Sequence, residues 1–158
     1  MRLAFLSDAH ADGPGDAVQA RLVELLGRIE ADRLFLLGDV FHRGWAFPGP
    51  EGAFFPQHRP VVEALEALHR RGVGVSFLGG NHDFAMGWAL RASGIEILVA
   101  GRLDLDGRLF HLAHGDEVEP SLSYALAHGL LRGRPFAALV DALGPDRAWR
   151  ALGLLAGP

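Results

Sequence analysis

Apolar residues in this chain come in short runs, and most of the runs stop at a polar cluster. Leu3-Ala4-Phe5-Leu6 ends at Ser7-Asp8-Ala9-His10, the pattern of a buried strand followed by a loop. Leu34 to Leu37 ends at Gly38-Asp39, and Val73 to Leu78 ends at Gly79-Gly80-Asn81-His82-Asp83. Between these runs the period changes. Val18, Leu22, Leu25, Leu26 and Ile29 recur at helical spacing, as do Val62, Leu65 and Leu68 in a helix predicted from Pro60 to Arg71. Gly44 to Pro60, rich in Gly, Pro and aromatic residues, reads as a loop. Phe84 to Ala92 reads as a short helix and Glu96 to Val99 as a strand. Leu103 to Phe110 is a hairpin with an Asp106-Gly107 turn, and its return strand stops at His114-Gly115-Asp116. From Leu122 to Leu155 the pattern predicts two or three short helices, broken near Gly133-Arg134-Pro135 and Gly144-Pro145. There is no internal repeat and no low-complexity tract.

Strand and helix alternate in the first half, which predicts an α/β fold with a largely parallel sheet. Ligands of such sheets bind at the carboxyl ends of the strands. Four strands end there in polar clusters: Asp8-Ala9-His10, Gly38-Asp39, Asn81-His82-Asp83 and His114-Gly115-Asp116. They are expected to converge on one rim.

Composition narrows the chemistry of that rim. With 158 residues, 49% hydrophobic and 22% charged, the chain has the makeup of one globular domain. Its net charge of −4 argues against nucleic acid as a partner. All 15 basic residues are Arg, which reads as codon bias and not as chemistry. With no Cys, disulfides and thiolate metal sites are excluded. No apolar run reaches membrane-spanning length, and Met1-Arg2-Leu3 leads directly into a strand, so the expected location is cytoplasmic.

Carboxylate, imidazole and side-chain amide together suit Mn²⁺, Fe²⁺ or Zn²⁺. A carboxylate at a central strand tip can bridge two ions, and two ions roughly 3.5–4 Å apart clamp a phosphate ester and activate water. Each motif alone has a plainer explanation. Asp-x-His is a common loop sequence, Asn-His-Asp is often a turn or cap, and His114 could simply end a strand. The combination, each member following a buried strand, points to a binuclear metal site.

The ordered blocks Asp8-Ala9-His10, Gly38-Asp39, Gly80-Asn81-His82-Asp83 and His114-Gly115-Asp116 resemble the signature of the calcineurin-like metallophosphoesterases. The short spacings, Phe84 after the Asn-His-Asp block, and the apolar segment after Asp116 resemble the UDP-2,3-diacylglucosamine hydrolases of lipid A synthesis in particular. The resemblance implies an αββα sandwich, with residues 1–116 as core and 117–158 as a helical lid-like segment of the same domain. It implies two divalent ions, with Mn²⁺ expected first. Asp8 and His10 would hold one ion, Asp39 would bridge, and Asn81 and His114 would hold the other. His82 and Asp83 would be catalytic, and Arg43, in Gly38-Asp39-Val40-Phe41-His42-Arg43-Gly44, would neutralise phosphate. Tyr124, Arg132 and Arg134 would contact substrate, a phosphorylated small molecule or a nucleotide-linked glycolipid.

The chain departs from the family pattern at three places. His42 stands where the wider superfamily has an acid that orients the catalytic histidine. The segment after Asp116 lacks the Thr and Asp expected of the lipid A enzymes. No Gly-His-x-His block follows, and all eight histidines lie at or before His128. The fold is therefore expected to be C-terminally truncated, with weak metal affinity and low stability. Homodimerisation or aggregation through the hairpin or the tail is expected too, and the leucine-rich tail reads as either an acyl-chain or peripheral membrane contact or an ordinary helical packing face. The alternative function is a truncated, weakly active or non-catalytic metal-binding or interaction module of the same fold. His58 and His69 read as surface residues, His111 as packing or surface, and His128 as an ordinary helical position. Trp45, Phe47, Phe54 and Phe55 read as either a hydrophobic entrance or half-buried loop packing.

Overall fold

The computed structural model describes residues 1–47, 53–116, 126 and 129–156. In chain order the elements are β1 (Leu3–Leu6), α1 (Ala17–Arg28), β2 (Arg33–Leu37), β3 (Ala46–Phe47), β4 (Ala53–Phe54), α2 (Arg59–Arg70), β5 (Gly74–Leu78), α3 (Gly87–Ala92), β6 (Glu96–Ile97), β7 (Gly101–Leu105), β8 (Arg108–Leu112) and α4 (Arg134–Ala156). A four-stranded sheet runs β1-β2-β5-β6, every neighbouring pair parallel, as strand–helix alternation predicts.

Side-chain alternation along the strands divides the core into two layers. Leu34 and Leu36 of β2 and Val75 and Phe77 of β5 face α1 and α2, where Leu22, Leu26, Val62, Leu65 and Leu68 complete a buried cluster. Phe35 and Leu78 project to the other face and meet Leu105 and Leu112 of the antiparallel β7–β8 hairpin. Among the described residues the result is therefore helices, parallel sheet and hairpin stacked in that order. Asp16 caps α1, accepting hydrogen bonds from the Val18 and Gln19 amides.

The structure revises several expectations. The segment expected as loop, 44–60, contains the short antiparallel pair β3–β4 and a 3-10 turn at Pro56–His58. Trp45, Phe47 and Phe55 there are buried, not half-buried, because α4 lays Val140, Ala148 and Trp149 on them. His58 is a correction: it is fully buried among Phe41, Phe55 and Trp149, where a surface position is expected. The helix expected from Phe84 starts only at Gly87, after a turn in which the Met86 amide donates to the Asp83 carbonyl. At Gly144, with φ 71°, α4 kinks, as the Gly-Pro pair predicts. Tyr124 and His128 lie outside the described residues. Among the described residues no helix is long and apolar enough to cross a membrane.

Candidate metal centre

The loops leaving β1 and β2 run side by side past the strand ends. The amides of Asp8, His10 and Ala11 donate to the carbonyls of Gly38, Asp39 and Val40, and the His42 amide donates back to Ala11. This ladder requires unusual backbone: Asp8, His10 and Asp39 all have positive φ, at 54°, 49° and 53°. Non-glycine residues seldom adopt that conformation, and it concentrates at functional sites. Two glycines make room for it. A Cβ on Gly80 would collide with the Asp39 carboxylate, and one on Gly38 would collide with the His114 ring.

Asp39 is buried at the centre. Its Oδ1 accepts the His82 amide at 2.9 Å. Its Oδ2 lies 3.3 Å from His114 Nε2 and 3.8 Å from His10 Nε2. Ligand atoms of Asp8, His10 and Asp39 lie within 4.8 Å of one another. On the other side Asn81 Oδ1 lies 3.3 Å from His114 Nε2. The five expected ligands are thus brought together in two sets that share Asp39.

The protonation logic of these groups fits cations. His114 Nδ1 lies 2.9 Å from the Leu37 carbonyl, which can only accept, so Nδ1 carries the hydrogen. The neutral ring then turns the Nε2 lone pair toward two oxygens that are themselves acceptors. A proton or a metal ion relieves that arrangement. Without metal the proton is favoured: burial pulls the His114 pKa down, but the Leu37 carbonyl and the charges of Asp39, Asp116 and Asp8 together raise it. A carbonyl behind the imidazole is also how metal-ligating histidines are oriented. His82 is built the same way, Nδ1 donating to the His42 carbonyl at 2.9 Å. The backbone of His42 thereby takes over the orienting role of the acid that the superfamily pattern leads one to expect.

Three other expected site residues are placed differently. Asp83 is fully buried. Its carboxylate accepts four amides, from Asp39, Val40, Phe41 and Gly80, at 2.8–3.2 Å, and so fastens together the loops that carry Asp39 and Asn81. Burial, with help from Asp39, raises its pKa to about 6 against those hydrogen bonds. The Arg43 guanidinium makes two 2.7 Å bonds to Asp12, donates to the Trp149 carbonyl and lies 3.7 Å above the Trp149 ring. It is committed to holding α4 on the β1 loop. Arg134 is exposed at the first residue of α4.

Arg132 does lie at the rim, its guanidinium 3.5 Å from the Gly80 carbonyl and 4.7 Å from the Phe84 ring centre. With Trp45, Phe84, Trp88, Leu131 and Asp141 it lines a groove of about 410 Å³ beside the Asn81–Asp83 loop. His42, which stands where the superfamily pattern has an acid, also brings its ring to the rim. Its ring stacks on His82 at 5.0 Å and meets His10 at 5.7 Å. Burial and the neighbouring cations outweigh Asp12 and hold its pKa below the ordinary value.

The family model for Calcineurin-like phosphoesterase matches residues 1–151. The chain is 36% identical over 120 residues to the UDP-2,3-diacylglucosamine hydrolase of Serratia proteamaculans (strain 568), a match covering 73% of this chain and 48% of that protein. Against the UDP-2,3-diacylglucosamine hydrolase of Aeromonas salmonicida (strain A449) it is 35% identical, with 73% and 46% covered. The chain spans about half the length of these curated relatives. Among solved structures, the Pseudomonas putida nuclease MPE aligns with 66% of this chain and 50% of its own, at TM-score 0.43 and 22% identity.

Proposed function

The chain belongs to the calcineurin-like phosphoesterase family, and on that premise we propose that it hydrolyses a phosphoester or diphosphate bond at the rim around Asp39. The observation that carries the reading is Asp39 Oδ2, poised between His10 and His114 in two ligand sets that share one carboxylate. Asp8, His10 and Asp39 would hold one divalent ion, and Asp39, Asn81 and His114 the other. Mn²⁺ suits the mixed carboxylate, imidazole and amide donors, with Fe²⁺ and Zn²⁺ as chemical neighbours. When bound, such ions neutralise phosphate charge and lower the pKa of water.

The chain's own residues supply the rest. His82 has its Nδ1 hydrogen tied to the His42 carbonyl and its amide to Asp39. Its Nε2 remains, and in the doubly protonated ring it would hold a phosphate oxygen or pass a proton to the leaving oxygen. Arg132 offers a guanidinium to anionic oxygens beside the same loop. The groove lined by Trp45, Phe84, Trp88 and Leu131 suits an apolar substituent. Together with the names of the relatives, this favours a nucleoside diphosphate joined to an acylated sugar, of the UDP-2,3-diacylglucosamine kind. A lipid substrate also gives a reason for peripheral contact with a membrane through exposed Leu130, Leu139 and Leu154.

The test is Mn²⁺-dependent cleavage of UDP-2,3-diacylglucosamine beside unacylated UDP-glucose, with products read by mass spectrometry. Cleavage is expected for the acylated compound, and Asp39→Asn is expected to abolish it and lower metal content at both positions. His82→Ala should cost roughly 10²–10⁴-fold in rate while Mn²⁺ content holds. A fully metal-loaded wild-type chain that cleaves neither compound nor simpler phosphoesters would leave a metal-binding module instead of an enzyme.

A further inference from the structure

A second gathering of imidazoles adjoins the carboxylate-centred sets. We propose that His10, His42 and His82 form a tris-imidazole site for a borderline divalent ion of the Zn²⁺ class. One ring nitrogen from each lies within 4.8 Å of the other two. The rings adjoin in every pair: His10 meets His82 edge-on at 4.9 Å, His42 stacks on His82 at 5.0 Å, and His10 and His42 are 5.7 Å apart. All three are half-buried.

The three rings are available as ligands. His82 gives its Nδ1 hydrogen to the His42 carbonyl, which fixes the tautomer and leaves Nε2 with a lone pair. His10 has Nε2 facing Asp39 Oδ2 and a buried Nδ1 with no hydrogen-bond partner among the described residues. The backbone amide and carbonyl of His42 are engaged with Ala11 and His82, so its ring is positioned independently of its own polar atoms.

Ligand chemistry separates this site from its neighbour. Three neutral imidazoles without a carboxylate suit Zn²⁺, Ni²⁺ or Cu²⁺, whereas the Asp39 sets suit Mn²⁺. Three protein ligands with a fourth position open is an established zinc arrangement. His10 belongs to both groups, so an ion on the imidazoles draws on a ligand that the Asp8–Asp39 set also uses. The site itself does not rest on the hydrolytic reading, and an ion held there would occupy the His82 Nε2 that the hydrolytic reading gives to phosphate.

The experiment uses the full chain preloaded with excess Mn²⁺ and titrates Zn²⁺ calorimetrically, with Co²⁺ as a visible-absorption probe. His42→Ala deletes one imidazole but keeps the backbone bonds to Ala11 and His82. Wild type should show a tight Zn²⁺ class and tetrahedral Co²⁺ bands. The variant should weaken Zn²⁺ by at least the 10–100-fold that losing even an outer-shell partner costs such sites, and lose the bands, with Mn²⁺ content unchanged. His42→Phe, which preserves the ring stack, repeats the comparison should the alanine variant misfold. Identical Zn²⁺ affinity and Co²⁺ spectra in wild type and variant overturn the proposal. Absence of Mn²⁺ from every form would instead overturn the Asp39 centre, and the zinc comparison would still decide the imidazole site.

Discussion

The ring of His58 is enclosed by Phe41, Phe55 and Trp149, with Nε2 donating to the Arg43 carbonyl. Burial lowers its pKa from 6.5 to about 4, the Arg43 carbonyl and Asp12 opposing. The unfolded chain therefore takes up this proton near pH 6.5 and the folded chain only near pH 4. The stability it contributes is complete above pH 6.5, falls as pH drops through that window, and is lost below about 4. The total is about 3 kcal/mol. His58→Gln should flatten this part of the pH dependence, and urea unfolding at a series of pH values measures it. Sequence could not place this ring, because what buries it is Trp149, some ninety positions away. Arg43 was legible as a cation beside the Gly-Asp block. Its partner Asp12 and its stacking on Trp149 belong to long-range packing that no local pattern encodes.

At the level of elements, the strand ends were the readable part. Each apolar run stops where its ligand begins, and a parallel sheet carries successive strand ends to one edge. That is why Asp8, His10, Asp39 and Asn81 meet, whereas His114 reaches them from the antiparallel β7–β8 hairpin stacked on the sheet. What the pattern did not reveal is how the loops are fastened. Asp83, read as catalytic, binds four amides of the neighbouring loops, and the carbonyl of His42 orients His82. Backbone acceptors leave no trace in residue identity. The fit between the loops is close enough to test by adding one carbon. A methyl at position 80 would press on the Asp39 carboxylate and lie 2.7 Å from the Asp39 amide nitrogen. Gly80→Ala should destabilise the chain by about 1–3 kcal/mol, measured by denaturant unfolding, and should also lower metal occupancy measured by elemental analysis. Loss of stability with full occupancy would mean that Asp39 can shift without consequence.

For the molecule as a whole, the proposed ligands come from four segments that are far apart in the sequence. Metal binding there would therefore be coupled to folding. Mn²⁺ at about a hundred times its dissociation constant should add about 2.7 kcal/mol. For a chain of this size that corresponds to roughly 5–10 °C in Tm, read by scanning calorimetry and reversed by chelator. Asp8 offers a sharper version of the experiment. Its side chain is exposed, and its φ of 54° suits glycine better than aspartate. Asp8→Gly should abolish most of the Mn²⁺ response while leaving the metal-free chain as heat-resistant as wild type, or more so. Selection for thermal endurance alone, without a demand for turnover, would erode this position first. On the proposed metal role, the aspartate and its awkward backbone mark a compromise between durability and chemistry.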